Sequence, residues 1–232
     1  ADMKDHAHAI LLFTLAIDRN CSEAIGGRPG SLDPVGLFYA ALSDIDRVLA
    51  LNPMLVRHWD LKSMVLHKMG YLSDAATAAQ RRLDLLRSGG QSIAHLKYPI
   101  AGAGNEDRAA AIFADELERA RKLLQSWSGS QEASTGVPNA LLERAKLEIA
   151  VGEIGSAQKT LRSVLDSANS SPENRSAANY ILGSIRFVVS KDVGGARSHW
   201  LAAQQETQWY RFANAAIAET YLIQGHYSDA SL

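Results

Sequence analysis

Val56–Leu86 reads VRHWDLKSMVLHKMGYLSDAATAAQRRLDLL, and its spacing decides the fold. Trp59, Ser63 and Leu66 recur every three or four residues, so they share one face of a helix. Gly70 ends that helix, because glycine takes a left-handed C-cap without steric cost. Ser73 or Asp74 is placed to cap the next helix. There Ala75, Ala79 and Leu83 recur at four-residue spacing, with small side chains where two backbones must approach. Such a helix pair cannot bury its apolar face alone, but copies of it can by stacking.

Working outward, the turn glycines keep a period. Gly36, Gly70 and Gly104 stand 34 residues apart, and each is followed five residues later by alanine: Ala41, Ala75 and Ala109. After 14 extra residues the pair returns as Gly152 and Ala157, and Gly225 and Ala230 repeat it. Ala196 lies 34 residues before Ala230, with Lys191 standing where the glycine is expected. Gly36 sits awkwardly in this series, since Asp33-Pro34 is a strong helix start that would put it inside a helix running to about Leu51. Other helices are expected over Lys4–Arg19, Asn105–Trp127, Pro138–Val151, Ser156–Ala168, Arg175–Ser190, Gly195–Glu206 and Arg211–Gln224. Irregular segments are expected over 20–33, 88–104 and 128–137, where glycine, proline and serine cluster. Nothing reads as a strand, and the fold class is all-α.

A period of 34 with two helices per unit resembles the tetratricopeptide repeat. Trp59, Ser63, Leu66, Gly70, Leu72 and Ala75 stand at that family's aromatic, small, large, glycine, large and alanine positions, and Pro53 matches the proline that ends the preceding unit. Leu182-Gly183 repeats the family's Leu-Gly pair, with Trp200 and Ala203 in the following helix, and Ala218, Tyr221, Gly225, Tyr227 and Ala230 match in the last unit. The resemblance spans nearly all of 1–232. It implies one right-handed superhelical solenoid of about five to six stacked helix-turn-helix repeats, expected to continue beyond Leu232.

Bulk composition sets the limits. Of 232 residues, 47% are hydrophobic and 21% charged, ordinary for a soluble globular chain. A net charge of −1 gives no general attraction to nucleic acid or anionic lipid. No apolar run reaches the ~18 residues of a membrane span. One cysteine, Cys21, excludes an internal disulfide and favours a reducing compartment. The cytoplasm and the periplasm both stay open. Alanine and arginine outweigh isoleucine and lysine, which suggests a GC-rich bacterial source.

The residues of chemistry are dispersed. His6 and His8, two apart, point to different sides of a helix, and no zinc-type Cys/His cluster exists, so no metal is expected. Gly102-Ala103-Gly104 lacks the preceding strand and following Lys-Ser/Thr of a phosphate loop. Asp115, Glu116 and Glu118 alternate with Arg119, Arg121 and Lys122, the pattern of a solvated, salt-bridged helix face. No cofactor and no catalytic residue is assigned.

The resemblance implies a groove lined by the first helix of each unit. Carried over, its lining is Arg57, Asp60, Met64 and Lys68, then Asn139, Leu142, Lys146 and Ile149, then Tyr180, Ser184 and Phe187, and finally Phe212, Ala215 and Glu219. Family members that hold acidic chaperone tails use Lys, Asn and Arg there, and Asp60 stands against that use. The expectation is a non-enzymatic scaffold that binds a protein or peptide partner and organises a multiprotein complex. The alternative is a regulatory or docking part of a larger enzyme, export system or transcription regulator. An RNA-reading repeat of similar period fits less well with the net charge.

Overall fold

The computed structural model describes residues 36–88, 106–130, 138–204 and 209–226. The expected helix over 4–19, the 20–33 segment with Cys21, and Gly104 lie outside the described residues. Among the described residues there are nine α-helices and no strand. They are α1 (Phe38–Leu51), α2 (Val56–Lys68), α3 (Leu72–Arg87), α4 (Glu106–Ser130), α5 (Pro138–Val151), α6 (Ile154–Asp166), α7 (Pro172–Val188), α8 (Val193–Ala203) and α9 (Trp209–Gln224). The chain divides into two compact units, Ala1–Glu118 and Arg119–Leu232, with the boundary inside α4. No helix among the described residues is long and apolar enough to cross a membrane.

One turn recurs in both units. Gly36, Gly70, Gly152 and Gly225 all have positive φ, and the one non-glycine residue with positive φ among those described is Lys191, at 55°. Nothing lies within 4 Å of where a side chain would begin at Gly36, Gly70 or Gly225. The backbone angle, not crowding, therefore selects glycine there. The turns close in the manner of a Schellman motif: Tyr71, Glu153 and His226 donate their N–H groups to Leu66, Glu148 and Tyr221, at 2.9, 2.7 and 2.9 Å. At Lys191 the loop is one residue wider, with Asp192 N–H reaching Arg186 O at 3.0 Å. Five residues after Gly36, Gly70, Gly152 and Lys191, Ala41, Ala75, Ala157 and Ala196 are fully buried, while Ala230, five after Gly225, lies outside the described residues. Each of those buried alanines donates its N–H to the carbonyl just before its helix, on Leu37, Tyr71, Glu153 and Asp192.

Gly36 thus belongs to the series. The helix expected from Pro34 begins only at Phe38, and Gly36 turns the chain ahead of it. Other boundaries also shift. Neither Ser73 nor Asp74 caps α3, which starts at Leu72 without a side-chain cap, leaving Asp74 in its first turn. Helix α7 starts before Arg175, because Ser171 Oγ accepts the Asn174 N–H at 3.2 Å and Pro172 fits the first turn. Helix α4 runs through Ser130, so residues 128–130 are helical rather than part of a loop.

In the first unit α1 packs on α2, and α2 forms a hairpin with α3. Leu42, Ile45, Val65, Leu66, Tyr71, Ala75 and Leu83 make its core. Each large apolar side chain there contributes roughly 1.5–3 kcal/mol on burial. Lys62 of α2 pairs with Asp46 of α1 at 2.7 Å, and Arg82 of α3 pairs with Asp60 of α2 at 3.0 Å. In the second unit α5–α6 and α7–α8 are hairpins, α6 packs on α7 and α8 on α9, and α7 touches both α5 and α9. Ala145, Ala157, Ala178, Ala196, Ala203 and Ala213 are fully buried at these contacts, with Leu161, Val164, Ile185 and Trp200.

Lys191 carries backbone strain that its glycine counterparts avoid, of order 1 kcal/mol. Lys191→Gly is expected to raise unfolding free energy by about 0.5–1 kcal/mol, and Gly152→Ala (φ +87°) to lower it by a similar amount. Urea denaturation of both variants checks this; a destabilised Lys191→Gly variant would contradict it.

Candidate functional site

The second unit presents an aromatic cluster. Tyr180 of α7 and Trp209 and Phe212 of α9 pack ring on ring, with centroids 5.4 Å (Tyr180–Trp209), 5.7 Å (Trp209–Phe212) and 6.1 Å (Tyr180–Phe212) apart. Tyr180 and Trp209 are half-buried, and Phe212 is 56% exposed. The tilted arrangement is the one ring quadrupoles prefer. The cluster is held from behind by the core: Tyr180 O accepts the Trp200 Nε1–H at 3.1 Å, and Ala178 and Ala213 are fully buried beside it in sequence. A ring as exposed as Phe212, backed by two more, offers apolar area that the fold itself does not cover.

Two of the three rings, Tyr180 and Phe212, were among the residues expected to line a groove. Trp209 was not, because the helix was expected to begin at Arg211 and it begins at Trp209. The run Trp209-Tyr210-Arg211-Phe212 carried the signal.

The remaining expected lining residues divide by burial. On α2, Arg57, Met64 and Lys68 are exposed, Met64 to 40%. Lys68 Nζ stands 5.9 Å from the Phe38 ring centroid. Asp60 is engaged by Arg82 and does not face outward as a free acid. On α5, Asn139 and Lys146 are exposed, with Lys146 bound to Glu143 at 2.6 Å. Ala215 is exposed on α9. Leu142, Ile149, Ser184, Phe187 and Glu219 are buried and line no surface. Phe187, for example, packs 6.1 Å from the Trp200 ring.

Elsewhere in the second unit lie a buried ion pair and a part-buried histidine. Glu148 is 1% exposed, and its Oε1 accepts from Arg144 Nε at 2.9 Å and Ser156 Oγ at 3.2 Å. It lines a pocket of about 260 Å³ with Arg121, Leu124, Gln125, Arg144, Val151 and Glu153. His199 lies with Nδ1 3.2 Å from Asn179 Oδ1. Burial, then the nearby Arg186 and Arg162, hold its pKa below the usual imidazole value, against a smaller opposing pull from Asp192. Among the described residues no group of three or more His, Cys, Asp or Glu is placed to hold a metal ion.

No protein-family model matches the chain, and no curated protein matches it either. The functional reading therefore rests on the geometry alone.

Proposed function

We propose that this chain is a tetratricopeptide-like solenoid acting as a non-enzymatic scaffold, and that the Tyr180–Trp209–Phe212 cluster is its anchoring point for a partner protein or peptide. The observation that carries the reading is the cluster itself. It sits on α7 and α9, the helices that precede the turns at Lys191 and Gly225, where a repeat array would line its groove. The recurrence of turn and buried alanine supports the array, and so does the packing of α7 against both α5 and α9. In such interfaces a few aromatic anchors carry most of the binding energy, while flat polar surroundings exclude water.

The test is a random-peptide display selection on the whole chain, run in parallel on Phe212→Ser. Phe212 is exposed, so this change should leave folding intact, which circular dichroism checks. Peptides selected on the native chain are expected to lose roughly 30-fold in affinity on the variant, the equivalent of about 2 kcal/mol for a central anchor. Equal enrichment and affinity on both chains would remove the cluster from the binding reaction.

A further inference from the structure

Independently of the aromatic cluster, we propose that the pocket beside Glu148 is a binding site for a small aliphatic ammonium compound. The pocket belongs to the second unit and is lined from α4, α5 and the turn that joins α5 to α6. Its volume is about 260 Å³, below the roughly 300–1,000 Å³ of sites for drug-sized ligands, so it fits a short molecule. Arg144, Glu148 and Val151 stand at i, i+4 and i+7 on α5, and thus on one face. Gly152 then turns the chain, and the Glu153 N–H closes on the Glu148 carbonyl at 2.7 Å, which seats two acids at one turn. Arg121, Leu124 and Gln125 of α4 supply the rest of the lining.

What this lining lacks is donors. A carboxylate offers about four lone-pair sites. On Glu148, Oε1 accepts from Arg144 Nε and Ser156 Oγ, while Oε2 has no hydrogen-bond partner although the residue is 1% exposed. A buried carboxylate oxygen without a donor is rare in a folded chain and calls for one from outside. Glu153 is exposed and is paired with no cation among the described residues. Neither lining arginine is left over to serve these acids: Arg144 holds Glu148 through Oε1, and Arg121 has a partner of its own. An ammonium group carries three donors and no acceptor, so it can bond Oε2 and draw on the Glu153 charge together. Leu124 and Val151 give an alkyl stem its apolar contact. Entry is from the Arg144 side, where that side chain is 31% exposed, and the long side chains of Arg121, Arg144 and Gln125 admit the ligand by changing rotamer. A ligand carboxylate in the same place would meet like charge and be rejected.

Saturation-transfer NMR and calorimetric titration of the whole chain test this with n-butylammonium, against 1-butanol and butyrate. The expected Kd for n-butylammonium is about 1–10 mM, ordinary for so small a ligand, and at least about tenfold tighter than for 1-butanol, with no transfer to butyrate. Gln125→Trp, a change at an exposed residue that fills the mouth, should abolish binding, and Glu153→Gln should weaken it about threefold to fivefold. Glu173→Gln, at an exposed acid on α7, should leave it unchanged. Glu148→Gln should bring n-butylammonium down to the level of 1-butanol; circular dichroism checks its folding, and Gln125→Trp decides the case where it does not fold. Equal affinity for n-butylammonium and 1-butanol would reduce the pocket to an apolar cleft and overturn the proposal. Binding that survives Gln125→Trp, or falls equally in Glu173→Gln, would overturn it too, as would the absence of any transfer to n-butylammonium.

Discussion

Gly183→Ala is expected to destabilise the second unit by about 3 kcal/mol or more, a large loss for the addition of one methyl group. Gly183 lies inside α7, with nothing unusual in its backbone, and its requirement for glycine comes from its neighbour. A Cβ there would stand 2.6 Å from Cδ1 and 2.9 Å from Cε2 of Trp200, and closer still to Nε1. Trp200 is fully buried, so its indole has no open space to retreat into. Moving it also breaks the 3.1 Å hydrogen bond from Nε1 to Tyr180 O. A buried indole N–H left without a partner costs about 1–3 kcal/mol beyond the packing strain. Trp200→Ala should cost about 3–5 kcal/mol by leaving a cavity instead. The pair Gly183→Ala with Trp200→Phe should cost clearly less than the sum of the two single changes, because the smaller ring makes room for the methyl. A double-mutant cycle by urea denaturation measures this. Strict additivity would show that the two residues do not press on each other.

The contrast between Gly183 and the turn glycines also shows where the sequence was legible. The turns at Gly70, Gly152 and Gly225 announce themselves because a left-handed residue leaves a glycine behind at a fixed interval from alanine. Even Lys191 was visible as a gap in the series, and its positive φ fills that gap. Gly36 was obscured by Pro34, a local start signal that suggested an earlier helix. The candidate site was less legible, for a different reason. Periodicity identifies which residues of one helix share a face, but not how many neighbours that helix has. Helix α7 packs against α5, α6, α8 and α9, so burial wraps most of its circumference and takes in Ser184 and Phe187. Asp60 was placed in the groove lining, and its pairing with Arg82 was not foreseen because Arg82 lies 22 residues away, beyond any local pairing rule. Trp209 was missed by a shift of two residues in one helix start, an ordinary error at boundaries.

Arg144→Ala is expected to cost about 2–4 kcal/mol, more than the removal of a surface arginine should. The reason is what it leaves behind. Glu148 is 1% exposed, while Arg144 is 31% exposed at its side chain, so the pair is deeply seated at the carboxylate end only. With the guanidinium gone, Glu148 keeps a single donor, the Ser156 hydroxyl, at 3.2 Å. A buried carboxylate stripped of its cation costs about 3–5 kcal/mol, reduced here because water can enter from the Arg144 side. Arg121 and Glu153, one charge of each sign, line the same pocket. The same physics gives the opposite sign for the double replacement. Arg144→Met with Glu148→Met removes both charges, fills the space with flexible apolar side chains and should lie within about 1 kcal/mol of the native chain, or above it. Urea or thermal denaturation of the two variants separates the possibilities. A double variant as unstable as Arg144→Ala would mean that the ion pair itself holds α5 to Ser156 of α6, as a specific clasp. A stable double variant would mean that the pair is tolerated in the core by mutual compensation, and that the α5–α6 hairpin is held by Ala145, Ala157 and Leu161 alone.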